Sequence, residues 1–192
     1  MKLRGNVMSN VKNNAPITVG MRNIKTAIAA TLCALIYYPI QRNPTFACIG
    51  AVFGLGSDME NSWLNGGNRL FGTIFGGVLG MLLYSFYLYF YPEGTKEGFN
   101  LLILLLLFMG VVALILVSQI FNWPGAIQPG GVMLSILLFN QPADTFVTYS
   151  MNRIFDTAIG VVVALIVNLL LPRERVIKWL RALHLCKKET KE

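Results

Sequence analysis

Asn68-Arg69-Leu70-Phe71-Gly72-Thr73 opens one long apolar run of this chain, and Asn152-Arg153-Ile154-Phe155-Asp156-Thr157 opens another, 84 residues later. Aligned without gaps, residues 68–81 and 152–165 share six of fourteen positions: Asn, Arg, Phe, Thr, Gly and Val. A lipid-facing helix avoids both Asn and Arg, so apolar composition alone does not explain the match. The expectation is two related halves, each about three apolar segments long. Internal repeats in a membrane protein are a mark of transporters, whose substrate sites lie between the repeats.

The composition agrees with a membrane solvent. The 192 residues are 55% hydrophobic and 13% charged, with a mean hydropathy of +0.58, whereas charged residues make up about a quarter of an ordinary globular chain. The runs Leu70–Tyr91, Phe99–Phe121 and Ile154–Leu171 carry almost no charge, and each is long enough as a helix to cross a hydrocarbon core of about 30 Å. The fold class read here is an all-α membrane protein of about six transmembrane helices in two three-helix repeats, followed by a C-terminal amphipathic helix.

The chain divides accordingly. Residues 1–22 are polar and basic and do not read as a signal peptide. The first repeat covers 23–98, with spans at Asn23–Ile40, Thr45–Ser57 and Leu70–Tyr91, and Lys25 placed to snorkel to the surface. The second repeat covers 99–172, with spans at Phe99–Phe121, Ala126–Phe139 and Ile154–Leu171. Val176, Ile177, Leu180 and Leu183 alternate with Arg175, Lys178 and Arg181 in 173–192, the pattern of a helix lying on a membrane surface.

The net charge of +7 is concentrated before the first span and after the last, which places both termini in the cytoplasm. No soluble segment is large enough for a nucleic-acid-binding face. If all six segments cross, three crossings separate Asn68 from Asn152 and the halves are inverted. If the short segments Thr45–Ser57 and Ala126–Phe139 are re-entrant, only four helices cross and the halves run parallel. Both arrangements leave thirteen basic residues inside and three outside, so charge does not choose between them. Six crossings is the preferred reading, since short spans are accommodated by local thinning of the bilayer.

Chemistry is expected in three places. The short segments hold Gly50, Gly54 and Gly56 in one half and Pro129, Gly130 and Gly131 in the other, and interrupted helices at corresponding positions point to a transporter site. Arg69 and Arg153, flanked by Asn68 and Asn152 and followed one turn later by Thr73 and Thr157, offer fixed positive charge to an anion. A guanidinium holds a carboxylate through two hydrogen bonds. Asp156 is one turn from Arg153, suited either to proton coupling or to a local ion pair. Asp58, Glu60 and Asn61 form an acidic rim or a solvated link, and Gly72, Gly76 and Gly80 make a close-packing face. Cys33, Cys48 and Cys186 lack metal-ligand spacing and disulfide pattern. No nucleophile–base set or phosphate loop is present, so neither an enzyme, a cofactor nor a metal is expected.

Met21-Arg22-Asn23-Ile24-Lys25-Thr26-Ala27, Asn43-Pro44, Gly67-Asn68-Arg69-Leu70-Phe71-Gly72-Thr73 and Arg153-Ile154-Phe155-Asp156-Thr157-Ala158-Ile159-Gly160 occur in that order. Together they resemble the aromatic acid exporter family, related to fusaric acid resistance proteins, over roughly residues 20–172. The resemblance implies a bacterial inner-membrane exporter of aromatic or related organic acids, driven by the proton gradient, with roles for Arg69, Thr73, Arg153, Asp156 and Thr157. Relatives often continue into a cytoplasmic helical domain, while this chain ends soon after the sixth span. A six-span unit is half of the larger relatives, which implies a homodimer or higher oligomer. The alternatives are a non-transporting accessory or assembly protein and an exporter of other small solutes such as amino acids.

Overall fold

A computed structural model describes residues 20–92 and 100–171. Among them run six α-helices: α1 (Met21–Tyr37), α2 (Thr45–Gly54), α3 (Met59–Phe90), α4 (Leu101–Ile120), α5 (Ile127–Asn140) and α6 (Phe146–Leu170). The described residues contain no strand. The amphipathic helix expected in 173–192, residues 1–19 of the polar segment and the 93–99 loop lie outside the described residues.

α3, α4 and α6 are long and apolar enough to cross a membrane. At 1.5 Å per residue α3 extends about 48 Å and α6 about 37 Å, while α2 and α5 reach only about 15 and 21 Å, short of a 30 Å core. Each short helix lies along a long one, α2 on α6 and α5 on α3.

Several boundaries differ from the sequence expectation, each for a local reason. α3 begins at Met59 rather than Leu70, because the Asp58 side chain accepts the Asn61 backbone N–H at 2.8 Å and caps the helix. Gly66 and Gly67 do not break it, since they lie against Val161 and Trp123. α6 likewise begins at Phe146, eight residues before the apolar run at Ile154. Arg69 and Arg153 therefore sit inside their helices instead of opening them. α1 stops at Tyr37, and Gln41 turns the chain with φ 54°. Pro129-Gly130-Gly131 does not interrupt α5. Pro129 falls in the first turn, where a backbone N–H has no intrahelical acceptor to lose. The short segments are intact helices rather than broken ones.

Glycines set how the helices meet. Cβ atoms at Gly72 and Gly76 would strike Ala126, Pro129 and Gly130 of the α5 region, and one at Gly80 would strike Leu137. A Cβ at Gly160 would strike the Ala47 carbonyl of α2. Contacts ascend together along α2 and α6 (Gly50 with Thr157 and Gly160, Gly54 with Val161 and Ala164), so these helices run parallel. α3 and α5 are parallel by the same criterion. α3 and α6 run antiparallel, with Gly66 against Val161 and Gly77 against Ile154.

The apolar side chains gather in two clusters. Ala29, Cys33, Tyr37, Ala47, Ala51, Leu55, Val163, Ala164 and Val167 join α1, α2 and α6. Tyr84, Tyr87, Ile103, Leu106, Leu134 and Leu138 join α3, α4 and α5. Each cluster combines two consecutive helices with the long helix from the other part of the chain. Replacing Gly76 or Gly160 with Leu is expected to abolish recovery of folded protein in detergent, because the obstructing atoms are backbone. Gly77→Ala, whose Cβ meets only the Ile154 and Met133 side chains at 3.4 and 3.6 Å, is expected to be recovered at the wild-type level.

Candidate functional site

The buried face of α6 carries Ser150, Arg153, Asp156, Thr157 and Gly160, and the parallel packing of α2 brings its aromatic side chains alongside. The Arg153 guanidinium lies 3.2 Å from the centre of the Phe46 ring and 5.9 Å from that of Tyr149. Phe46 and Tyr149 meet edge to face. Arg69 lies over Phe53, 4.9 Å from its centre. A cation over a desolvated ring gains about 2 kcal/mol, but a ring supplies no hydrogen-bond acceptor in the guanidinium plane. Arg69 Nε and Arg153 Nη1 are buried without a hydrogen-bond partner.

The expected pairing of Arg153 with Asp156 does not form. The buried Asp156 Oδ1 accepts the Tyr37 hydroxyl at 2.6 Å and Arg42 Nη2 at 3.3 Å, and Arg42–Asp156 is the only ion pair among the described residues. One turn along α6, Arg153 is turned toward α2 and Asp156 toward the end of α1. Thr73 and Thr157 are both buried. The Thr73 hydroxyl donates to the Arg69 carbonyl at 2.8 Å, which leaves its oxygen free to accept. Asn68 packs against Gly125, and Asn152 is exposed. Asp58 and Asn61 bond to each other in the α3 cap, with Glu60 exposed beside them. Those bonds from Asn61 hold the Asp58 carboxyl below its ordinary value.

Lys25 does not snorkel. It is 4% exposed and donates to Asn168 Oδ1 at 2.7 Å. Asn168 Nδ2 donates to Ser62 Oγ at 2.8 Å, and Ser62 Oγ also accepts the Gly56 N–H. This group joins α1, α3, α6 and the end of α2. No group of His, Cys, Asp and Glu suited to a metal occurs among the described residues.

The match to a family is decided by the chain as a whole. Residues 17–171 match the model of aromatic acid exporter family member 1. The chain belongs to the aromatic acid exporter family. The family is one of membrane exporters rather than a class of enzymes, in keeping with the three apolar helices long enough to cross a bilayer. No curated relative and no solved structure matches the chain significantly.

The sequence reading of this exporter-family chain missed Tyr37, Arg42, Phe46, Phe53, Tyr149, Ser62 and Asn168. A signal existed for some of them: Lys25, Ala29, Cys33 and Tyr37 recur every four residues and form the buried stripe of α1. Asn168 is a polar residue deep in an apolar run. Tyr37→Phe removes a donor from a buried carboxylate and is expected to cost about 1–3 kcal/mol. Arg42, whose side chain is 47% exposed, is expected to cost less than about 1 kcal/mol as Arg42→Gln. Chemical unfolding of the two variants in detergent tests this order.

Proposed function

We propose that this protein exports aromatic carboxylates across a bacterial inner membrane, with Arg69 and Arg153 as the carboxylate-binding groups. The observation that carries the reading is that both guanidinium groups reach the interior without a carboxylate partner among the described residues. Removing one partner of a buried ion pair costs about 3–5 kcal/mol, and a desolvated guanidinium N–H without a counter-charge is in a like position until an anion arrives. A carboxylate would take the unpartnered N–H groups, and Thr73 and Thr157 would add contacts one turn away. The rings of Phe46, Phe53 and Tyr149 beside those charges suit an aromatic body attached to the carboxylate. Asn68 and Asn152 are assigned to shaping the approach.

The two halves act in this proposal as an inverted repeat. In its support, α3 and α6 run antiparallel, and Gly76 meets Gly130 much as Gly160 meets Ala47. Six crossings then place both termini in the cytoplasm, and a homodimer follows from the size of larger relatives. Asp156, the one buried carboxylate among the described residues, is assigned to proton coupling: protonation would remove the charge that holds Arg42.

The test is export of labelled aromatic acids from an efflux-deficient bacterium at matched protein levels. Arg69→Gln and Arg153→Gln are expected to abolish export, and Asp156→Asn to leave export that no longer responds to an imposed pH gradient. Unchanged export in both arginine variants would refute the assignment.

A further inference from the structure

The buried group around Lys25 lies outside the arginine site and has no role in it. Its hydrogen bonds end on neutral atoms throughout. Lys25 donates to Asn168 Oδ1, the Asn168 amide is oriented by its donation to Ser62, and the Ser62 hydroxyl donates to the Asp58 carbonyl. An ammonium has three N–H donors, and a single amide oxygen neither occupies them nor neutralises the charge. Asp156, the buried charge of opposite sign, is neutralised by Arg42 within the chain; among the described residues Lys25 is not. Arg22, one turn earlier on α1, donates Nε to the Leu55 carbonyl at 3.2 Å and is otherwise exposed, adding a second positive charge at the same end of the bundle.

Helix geometry places this group in line with the arginines. From Ser62, in the Lys25 network, to Arg69 is seven residues of α3, or about 10 Å of rise. From Phe53, under Arg69, to Phe46, under Arg153, is seven residues of α2, again about 10 Å. From Asn168 to Arg153 along α6 is fifteen residues, or about 22 Å. The two routes agree, so Lys25, Arg69 and Arg153 stand about 10 Å apart along the bundle axis.

We infer that Lys25, oriented by Asn168 and assisted by Arg22, is a separate carboxylate-binding station at the end of the bundle opposite Asp156, occupied before Arg69. This rests on the export reading for its ligand class. The incoming carboxylate takes the Lys25 donors that Asn168 leaves open, and the next cation lies one short step away.

Binding of labelled benzoate to the purified full-length protein, by equilibrium dialysis, tests this apart from the arginine site. The Arg69→Gln/Arg153→Gln protein is expected to retain saturable benzoate binding. Adding Lys25→Gln should weaken it about tenfold or more, the effect of losing a charge-assisted hydrogen bond, and Lys25→Arg should preserve it. Asn168→Asp, which supplies Lys25 with a carboxylate from the chain itself, should suppress binding equally, and it decides the matter if Lys25→Gln does not fold. Binding by the wild type but not by the double arginine variant would overturn the Lys25 station and leave the arginine site standing. Binding unaffected by Lys25→Gln or Asn168→Asp would do the same. Equal binding by wild type and double arginine variant, lost on Lys25→Gln, would support the station and contradict the arginine assignment. No binding by the wild type would overturn both.

Discussion

A positive charge taken out of water without a counter-charge is the constraint on which the remaining features turn. The interior holds Lys25 and Arg153, and Arg69 with a buried Nε, while the one buried carboxylate among the described residues is occupied by Tyr37 and Arg42. Such an arrangement is costly as a stabilising device, because desolvation exceeds what hydrogen bonds to neutral partners return. Its chemical consequence is selection by sign: an anion that enters relieves the cost, a cation adds to it, and a neutral solute leaves it unchanged.

Helix packing delivers the charges to their positions. Gly76 and Gly160 let a short helix approach each long one to backbone contact. That closeness lays Phe46 and Phe53 of α2 beneath the guanidinium groups of α6 and α3. α2 thus shapes the site through the rings it carries, and just past its end Ser62 takes the Gly56 N–H. The cross-wise grouping of α1, α2 and α6 against α3, α4 and α5 puts Arg69 and Arg153 on helices of different groups, each against a ring of α2.

The helical membrane class and the family were legible in the sequence, because length, charge depletion and an ordered set of motifs are local properties. Arg69, Arg153 and Asp156 stand out in the sequence as ionisable residues near apolar runs. What the sequence concealed was partnership. Spacing along one helix suggested Arg153 with Asp156, yet the nearest ring to Arg153 comes from α2, and the partners of Asp156 come from the end of α1 and the link after it, more than a hundred residues away. Lys25 near a helix end reads as a snorkelling residue until Asn168 is found beside it. The helix starts at Met59 and Phe146 were hidden because polar residues there suggested links, although Asp58 offered a capping signal. The Pro129-Gly130-Gly131 run suggested a break where a proline in the first turn is harmless.

The central claim is that the interior recognises negative charge on an aromatic body. The most direct measurement is calorimetric titration of the purified protein with benzoate and with benzamide, which share shape and differ in charge. The expected result is saturable benzoate binding with no detectable benzamide binding. Equal binding of the two, or binding of benzamide alone, would contradict it.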